Sequence, residues 1–175
     1  WLPDEGSRLA ITGFYERFDD LIQLTLAPTV SLFVSENVPD ARIWGFEVEG
    51  AQDLGHGITT GIDYTYTNAR DLDTGNVLPR RPHHQARLYG EWQLPARPLT
   101  IGLELFYRGS HFDDSDESFR AGDAVSLNAQ LSYRISPGLR VYLRGENLND
   151  DRTPEIFSLG ARGAALFAGV RLDLL

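Results

Sequence analysis

The sequence predicts an all-β fold: an antiparallel, up-and-down transmembrane β-barrel segment of about eight strands, which spans residues 1–175 as one domain. Three observations indicate this fold. Short segments alternate apolar and polar residues, the connections alternate between short and long, and no apolar stretch keeps helical spacing beyond a turn or two. Because successive side chains of a strand point to opposite faces, each segment has one apolar and one polar side. An apolar exterior around a polar interior is typical of a barrel in a membrane.

The alternation is clearest in 126–135, where every second residue from Leu127 to Ile135 is apolar. We expect the following residues to share the lipid-facing side: Leu103, Leu105, Leu127, Leu131, Ile135, Leu139, Val141 and Leu143. We expect a charged network on the opposite side: Arg87, Glu91, Glu104, Arg134, Arg140 and Arg144. An arginine facing lipid would cost about 2–4 kcal/mol at the midplane, so the charged side should face the wet interior. A soluble eight-stranded ligand-binding barrel is an alternative, and it would put the apolar residues inside.

Glycine and proline residues divide the chain into eight predicted strands: 7–19, 41–54, 57–69, 84–94, 98–110, 124–136, 138–148 and 164–175. Three connections are short and rich in these residues, and the one at 136–138 should be the tightest turn. Four connections are long and polar, and we predict that they are outer loops that bind the ligand: 20–40, 70–83, 111–123 and 149–163. Outer-membrane barrels alternate short periplasmic turns with longer extracellular loops in this way. Each strand should therefore pair antiparallel with the next.

Composition excludes several other classes of protein. No run of eighteen apolar residues is present, so no transmembrane helix is predicted. The chain has no cysteine, which excludes disulfides and thiolate metal sites. Its net charge of −9 argues against binding nucleic acid. It begins at Trp1 without an initiator methionine or a signal peptide, so we expect a mature or truncated piece.

Aromatic residues on the apolar sides predict two belts at the membrane interfaces. Trp44, Tyr66 and Tyr107 fall near the outer ends of their strands, whereas Trp92 and Tyr133 fall near the periplasmic ends. Aromatic rings with one polar edge settle at the boundary between lipid and water. The alternative is that they are core aromatics of a soluble sandwich, which would need a second sheet to cover them.

Acidic residues crowd the outer loops, and those in the third long loop are the candidate metal ligands. Asp113, Asp114 and Asp116 could together hold Ca²⁺, because oxygen ligands in a flexible loop suit this ion. The spacing of an EF-hand is absent, so the alternative is a solvated acidic loop that binds no ion. We predict no other cofactor.

The chain shows no catalytic motif, and we predict that it is not an enzyme. Ser115 and Ser118 lie near His111 in the sequence, but no nucleophile elbow surrounds them. His83 and His84 are adjacent, so on a strand they should point to opposite faces and could not grip one metal. We expect these two to make hydrogen bonds at the membrane interface instead.

Four motifs in the same order resemble those of the TonB-dependent outer-membrane receptors. Gly145–Asp150 resembles the "ENLFD" signature before the last strand of that family. Three further segments are similar to its "D-hydrophobic-I", "A-x-x-x-G-hydrophobic-E" and "R-x-P-x-H" motifs: 18–22, 41–50 and 80–84. The spacing is nearest to the cobalamin and siderophore receptors of that family.

The resemblance implies a location, a larger architecture and a set of partners. Members of the family are multi-pass proteins of the bacterial outer membrane with a 22-stranded barrel and a plug domain. The chain would then be the C-terminal part of the barrel, an open arc whose first and last strands do not pair. The implied partners are outer-membrane lipid and lipopolysaccharide, the missing N-terminal barrel and plug, TonB through the plug, and a siderophore or cobalamin ligand.

Two functions from different classes remain open at this point. The first is a part of an active-transport receptor for a scarce large ligand, a siderophore–iron complex or cobalamin, energised through TonB. The second is a self-contained eight-stranded outer-membrane protein with an adhesin, anchor or structural role, since eight strands can close around a side-chain-filled interior. Hydrogen bonding between the first and last strands distinguishes the two.

Overall fold

A computed structural model describes residues 6–27, 32–156 and 159–172 of the chain. Eight strands form one antiparallel sheet and two short strands form a hairpin within an outer loop. The strands are β1 (Ser7–Ala27), β2 (Leu32–Gly55), β3 (Ile58–Asp71), β4 (His84–Gln93), β5 (Leu99–Arg108), β6 (His111–Phe112), β7 (Arg120–Ala121), β8 (Ala124–Ser136), β9 (Leu139–Glu146) and β10 (Ala165–Leu172). Among the described residues, no helix is long and apolar enough to cross a membrane.

The large sheet follows the order of the sequence and stays open. Its order is β1-β2-β3-β4-β5-β8-β9-β10, every neighbouring pair is antiparallel, and within the described ranges β1 does not pair with β10. The predicted pairing and the predicted open arc are both confirmed. Residues 173–175, which the prediction included in the last strand, lie outside the described residues.

The prediction of a single tightest turn is wrong, because two turns are equally short. Two residues separate the paired Ser136 and Leu139, and two separate the paired Gly55 and Ile58. In the second turn, His56 has φ 54° and Gly57 has φ 76°. Two consecutive positive φ angles are typical of the type I′ turn, whose twist matches that of a β-hairpin.

The two faces of the sheet separate apolar from charged side chains as predicted. Partners across antiparallel strands share a face, and Ile101, Leu131 and Leu143 lie in one such row. Six of the eight residues predicted to face lipid are exposed, and Leu139 and Val141 are half-buried. We call this side the apolar face, and the side with Arg87, Glu104 and Arg144 the polar face. The exposure of the leucines rules out the soluble barrel, which would bury them.

The first predicted outer loop is wrong, because 20–40 is mostly strand. β1 and β2 form one long hairpin whose register runs from Ser7↔Gln52 to Ala27↔Leu32, and only 28–31 lie outside the described residues. Asp20 and Pro39 stand near the two ends of the predicted loop, and residues of both types are frequent in turns. Asp20 takes φ 60° within β1, which continues on both sides of it, and Pro39 lies beyond the last residue of β2 that pairs with β3.

A small apolar cluster anchors the outer end of the sheet. Val38, Ala41, Ala69 and Leu78 are buried, and three half-buried residues pack against them: Phe18, Leu21 and Ile43. Ala41 and Ala69 belong to the polar face, whereas Leu78 comes from the loop after β3. The backbone N–H of Leu78 donates to the carbonyl of Ala69 over 3.0 Å. This loop therefore folds back over the outer end of the polar face.

Candidate ligand-binding surface on the polar face and the outer loops

A network of side chains crosses the middle of the polar face. The Nε of Arg87 donates to Glu104 over 2.5 Å, and its Nη1 donates to Asp63 over 3.1 Å. Asn128 donates to the other oxygen of Glu104 over 2.8 Å, and the Arg87 guanidinium lies 4.4 Å from the centre of the Tyr89 ring. The predicted interior network is confirmed at Arg87 and Glu104. These groups are partly exposed, so they contribute more to the polarity of the surface than to stability.

A second network lies beside β10. Arg144 and Arg162 both contact Glu146, with Arg162 at 3.6 Å. The two guanidinium groups lie 5.3 Å and 5.4 Å from the centre of the Phe167 ring. Arg162 belongs to the last outer loop, so this network joins that loop to the polar face. The other predicted members, Glu91, Arg134 and Arg140, line shallow cavities on the same face.

Two outer loops and the tip of the long hairpin are joined by hydrogen bonds. The Asn76 amide donates to the carbonyl of Ser115 over 2.9 Å, and the Val77 N–H donates to the Glu117 carboxylate over 2.8 Å. The Ser115 N–H donates to the hydroxyl of Thr25 over 3.1 Å. The loops at 70–83 and 111–123 therefore form one body with the β1–β2 hairpin.

The buried aspartates of this body accept hydrogen bonds from other groups of the same loops. Asp113 accepts a 2.5 Å hydrogen bond from the Nε of Arg80 and is completely buried. Asp114, 1% exposed, accepts hydrogen bonds from the N–H groups of Ser118 and Phe119. Asp116 is exposed instead. In the described part of the chain, no three His, Cys, Asp or Glu side chains converge as a metal site requires. Calcium binding at these three residues stays a prediction without support from the geometry.

His111 joins the third long loop to the fourth. Its Nε2 lies 2.9 Å from the carbonyl of Glu155, and its Nδ1 lies 2.6 Å from an Nη of Arg108. The neutral imidazole with its proton on Nε2 satisfies both neighbours, because Nε2 donates to the Glu155 carbonyl and Nδ1 accepts from Arg108. Burial lowers the pKa of His111, and the charge of Arg108 lowers it further. The ring is therefore neutral at pH 7, and both of its nitrogen atoms are occupied.

The segment that resembles the family signature has a structural role that the sequence did not reveal. Asn149 accepts from the N–H of Leu127 and donates to the carbonyl of Val125, so its side chain continues the hydrogen bonding of β8 beyond the end of β9. Asn147, with φ 49°, donates to two carbonyls of the last outer loop. The N–H of Val125 donates to Asp151 over 2.7 Å and lowers the pKa of that carboxyl. Two asparagines and an aspartate thus hold the last loop to the sheet.

The predicted interface aromatics all lie on the apolar face. Trp44 and Tyr66 make an edge-to-face contact with their ring centres 5.6 Å apart. Trp92 and Tyr133 are exposed near the opposite end, and Tyr107 is half-buried. Their position at a membrane interface stays a prediction. The alternation of β1 to β3 also puts three further rings on this face: Tyr15, Phe46 and Tyr64.

The two adjacent histidines do not point to opposite faces. The rings of His83 and His84 lie 6.5 Å apart, and both pack near Tyr66. The reason is that β4 begins at His84, so the alternation of a strand does not apply to His83. The expected hydrogen bonds are present: the Tyr64 hydroxyl lies 2.8 Å from His84, and the Thr67 carbonyl lies 2.8 Å from His83.

The sheet has one apolar face, one charged face and long loops at one end, and its sequence matches a known family. The model of the family "TonB dependent receptor-like, beta-barrel" matches residues 1–148. The chain belongs to this family. As a segment of a TonB-dependent receptor barrel, it is a protein of the bacterial outer membrane that crosses it with several strands. The family is one of transporters and receptors.

Individual relatives of the receptor family cover most of this chain. It is 28% identical over 151 residues, 82% of its length, to the "Ferrichrome outer membrane transporter/phage receptor" of Escherichia coli (strain K12), and covers 20% of that protein. It is 28% identical over 148 residues, 77% of its length, to the "Ferric-pyoverdine M114 receptor PbuA" of Pseudomonas sp. (strain M114), and covers 18% of it. The solved structure "Copper transporter OprC" matches 98% of the chain with TM-score 0.81 and 16% identity, over 29% of that structure. The chain thus spans about a fifth of the length of the curated relatives it matches.

Proposed function

We propose that this chain is the C-terminal part of the barrel of a receptor that imports a ferric siderophore across the outer membrane, with energy supplied through TonB. The observation that carries the proposal is the joining of four connections at the outer end of the polar face. Hydrogen bonds between Asn76 and Ser115, and between Ser115 and Thr25, hold two loops to the hairpin tip, and His111 holds the last loop to them. Such a body presents polar groups where a ligand from outside would enter. Ferrichrome and ferric pyoverdine in the names of the two relatives favour a siderophore over cobalamin.

The open sheet supports the larger architecture. Each edge strand presents unpaired backbone groups, and in lipid each unsatisfied group costs several kcal/mol. β1 and β10 therefore need neighbouring strands, which the missing N-terminal part of the barrel would provide. A self-contained eight-stranded barrel would instead pair these two strands with each other. The proposal also includes a plug within the complete barrel, TonB as the partner of that plug, and lipid with lipopolysaccharide around the apolar face.

The proposal assigns no catalytic step to the chain. A serine hydrolase that uses a Ser–His pair would need a free imidazole nitrogen beside its nucleophile. His111 uses both ring nitrogens, towards Arg108 and Glu155, so neither is available to Ser115 or Ser118. The proposal likewise needs no cofactor in this part of the protein.

Iron uptake by the host tests the proposal. The native gene is deleted, and the strain is supplied with purified ferric hydroxamate, ferric catecholate or ferric pyoverdine-type siderophores under iron limitation. We expect loss of radioactive iron uptake from at least one of them, with rescue by the complete wild-type gene. A copy that lacks 111–121 should not restore uptake, whereas Arg97→Gln in a short turn at the other end should restore it fully. Unchanged uptake of every chelate after deletion would contradict the proposal.

A further inference from the structure

A cavity of about 280 Å³ lies at the outer end of the polar face, below the joined loops. Its lining includes three arginines, Arg80, Arg81 and Arg108, together with His111 and Glu155. Arg108 is the last residue of β5, and Arg80 and Arg81 close the loop between β3 and β4. The sheet thus brings together cations from two strand ends that face the outside.

Arg108 is a buried cation that makes no close ion pair among the described residues, although its charge helps to lower the pKa of the Asp151 carboxyl. It is 7% exposed. Its described hydrogen bonds go to the neutral His111 over 2.6 Å and to the carbonyl of Pro154 over 3.4 Å. Within the described residues, no carboxylate lies within 4.0 Å of its guanidinium group. A buried charge is costly unless an opposite charge compensates it.

Arg80 supplies a second unsatisfied group in the same lining. Its Nε is bonded to Asp113 and its guanidinium stacks 4.5 Å from the centre of the Phe33 ring. Its Nη2 is buried and has no hydrogen-bond partner. Arg81 is exposed at the mouth of the cavity, and its one described hydrogen bond is a long contact of 3.4 Å to the carbonyl of Arg80. Glu155 is the one acid in the lining, and Asp113, which lies outside it, pairs with Arg80, so the three arginines of the lining face a single carboxylate there.

We propose that this cavity binds an oxyanion, and specifically a carboxylate arm of the ferric chelate that the receptor imports. The inference rests on the proposed function and adds the charge of the ligand to it. A carboxylate matches the planar guanidinium group with two parallel hydrogen bonds, and it would compensate Arg108 and satisfy Arg80 together. A volume of about 280 Å³ is smaller than the 300–1,000 Å³ of complete small-molecule sites, so it fits one arm of a chelate rather than the whole ligand.

Calorimetric titration of the complete native gene product in detergent tests the inference. The carboxylate probe is citrate, and inorganic phosphate at the same ionic strength is the comparison. We expect citrate to bind the wild type, and to bind Arg108→Gln about tenfold more weakly, because a charge-assisted hydrogen bond is lost. Arg81→Gln should weaken citrate binding by about threefold, since that side chain is more exposed. The matched control is Arg97→Gln, an exposed residue of the short turn between β4 and β5 at the opposite end of the sheet, and it should bind like the wild type.

Several results would overturn the inference. They are no binding of citrate by the wild type, equal weakening in the Arg97→Gln control, and tighter binding of phosphate than of citrate. If Arg108→Gln loses its β-sheet signal in circular dichroism, Arg81→Gln and Arg108→Lys decide the question, because both retain the buried charge. Failure here is distinct from failure of the proposed function: iron uptake that depends on the gene, combined with no citrate site, contradicts the cavity assignment alone.

Discussion

Removal of the buried carboxylate in Asp113→Ala should release the two outer loops from each other. Asp113 is completely buried and accepts a 2.5 Å hydrogen bond from Arg80, whose side chain is 25% exposed. Removing one partner of a fully buried ion pair costs about 3–5 kcal/mol, because the other charge stays uncompensated. Arg80 can recover part of its hydration because a quarter of its side chain is exposed. We therefore expect the free energy needed for local opening of the loops to fall by about 2–3 kcal/mol.

Hydrogen exchange of the loop amides measures this change. The N–H of Arg80 donates to the carbonyl of Phe112, and the N–H of Val77 donates to the Glu117 carboxylate, so both bonds join the two loops and report on their separation. A cost of 2–3 kcal/mol corresponds to roughly 30- to 150-fold faster exchange, at 1.36 kcal/mol per factor of ten. Amides in the middle of β5 should keep their protection, because the sheet does not depend on this pair.

Two further variants separate the ion pair from other effects. Asp116→Ala, in the same loop but exposed, should leave the exchange of both amides within about twofold of the wild type, as is usual for surface substitutions. The double variant Arg80→Met, Asp113→Leu should recover part of the protection, because no charge stays buried alone. Unchanged exchange in Asp113→Ala would refute the reasoning that this pair holds the loops together.

Three other predictions concern the last loop, the signature segment and the faces of the sheet. Burial keeps His111 neutral, so the stability that this ring gives to the last loop is complete above its unfolded pKa near 6.5 and decreases as the pH falls below that value. Proteolysis of 149–156 should therefore accelerate on acidification. An equal pH response in His111→Gln would contradict this. Asn149→Ala removes the partner of the Leu127 N–H and should cost about 1–3 kcal/mol in urea unfolding of the complete barrel, while an unchanged midpoint would contradict the structural role. Leu103→Arg on the apolar face should cost about 2–4 kcal/mol in lipid, whereas Gly102→Arg on the polar face should cost much less; equal costs would show that the faces are assigned wrongly.

The sequence alone was sufficient to predict the two faces of the sheet, the order of its strands and the family of the protein. The alternation from Leu127 to Ile135 has a period of two, and a strand with that period can bury or expose only one of its two sides. Glycine and proline mark where strands end, and short connections allow only antiparallel neighbours. These properties depend on residues close together in the chain. For the same reason the position of the Asn147 and Asn149 motif was visible, although its partners on β8 were not.

Only the tertiary structure decided how the outer loops are joined and where cations collect. Asp19, Asp20 and Pro39 are typical of a loop, yet their segment is strand because two long partners pair along its full length and Asp20 adopts a positive φ. Asp113 bonds to Arg80 across 33 residues, and Ser115 bonds to Thr25 across 90. No local pattern encodes contacts of that span, because they depend on which strand ends the open sheet brings side by side. That same placement turns Arg80 and Arg108, which are unremarkable as sequence, into neighbours in one cavity.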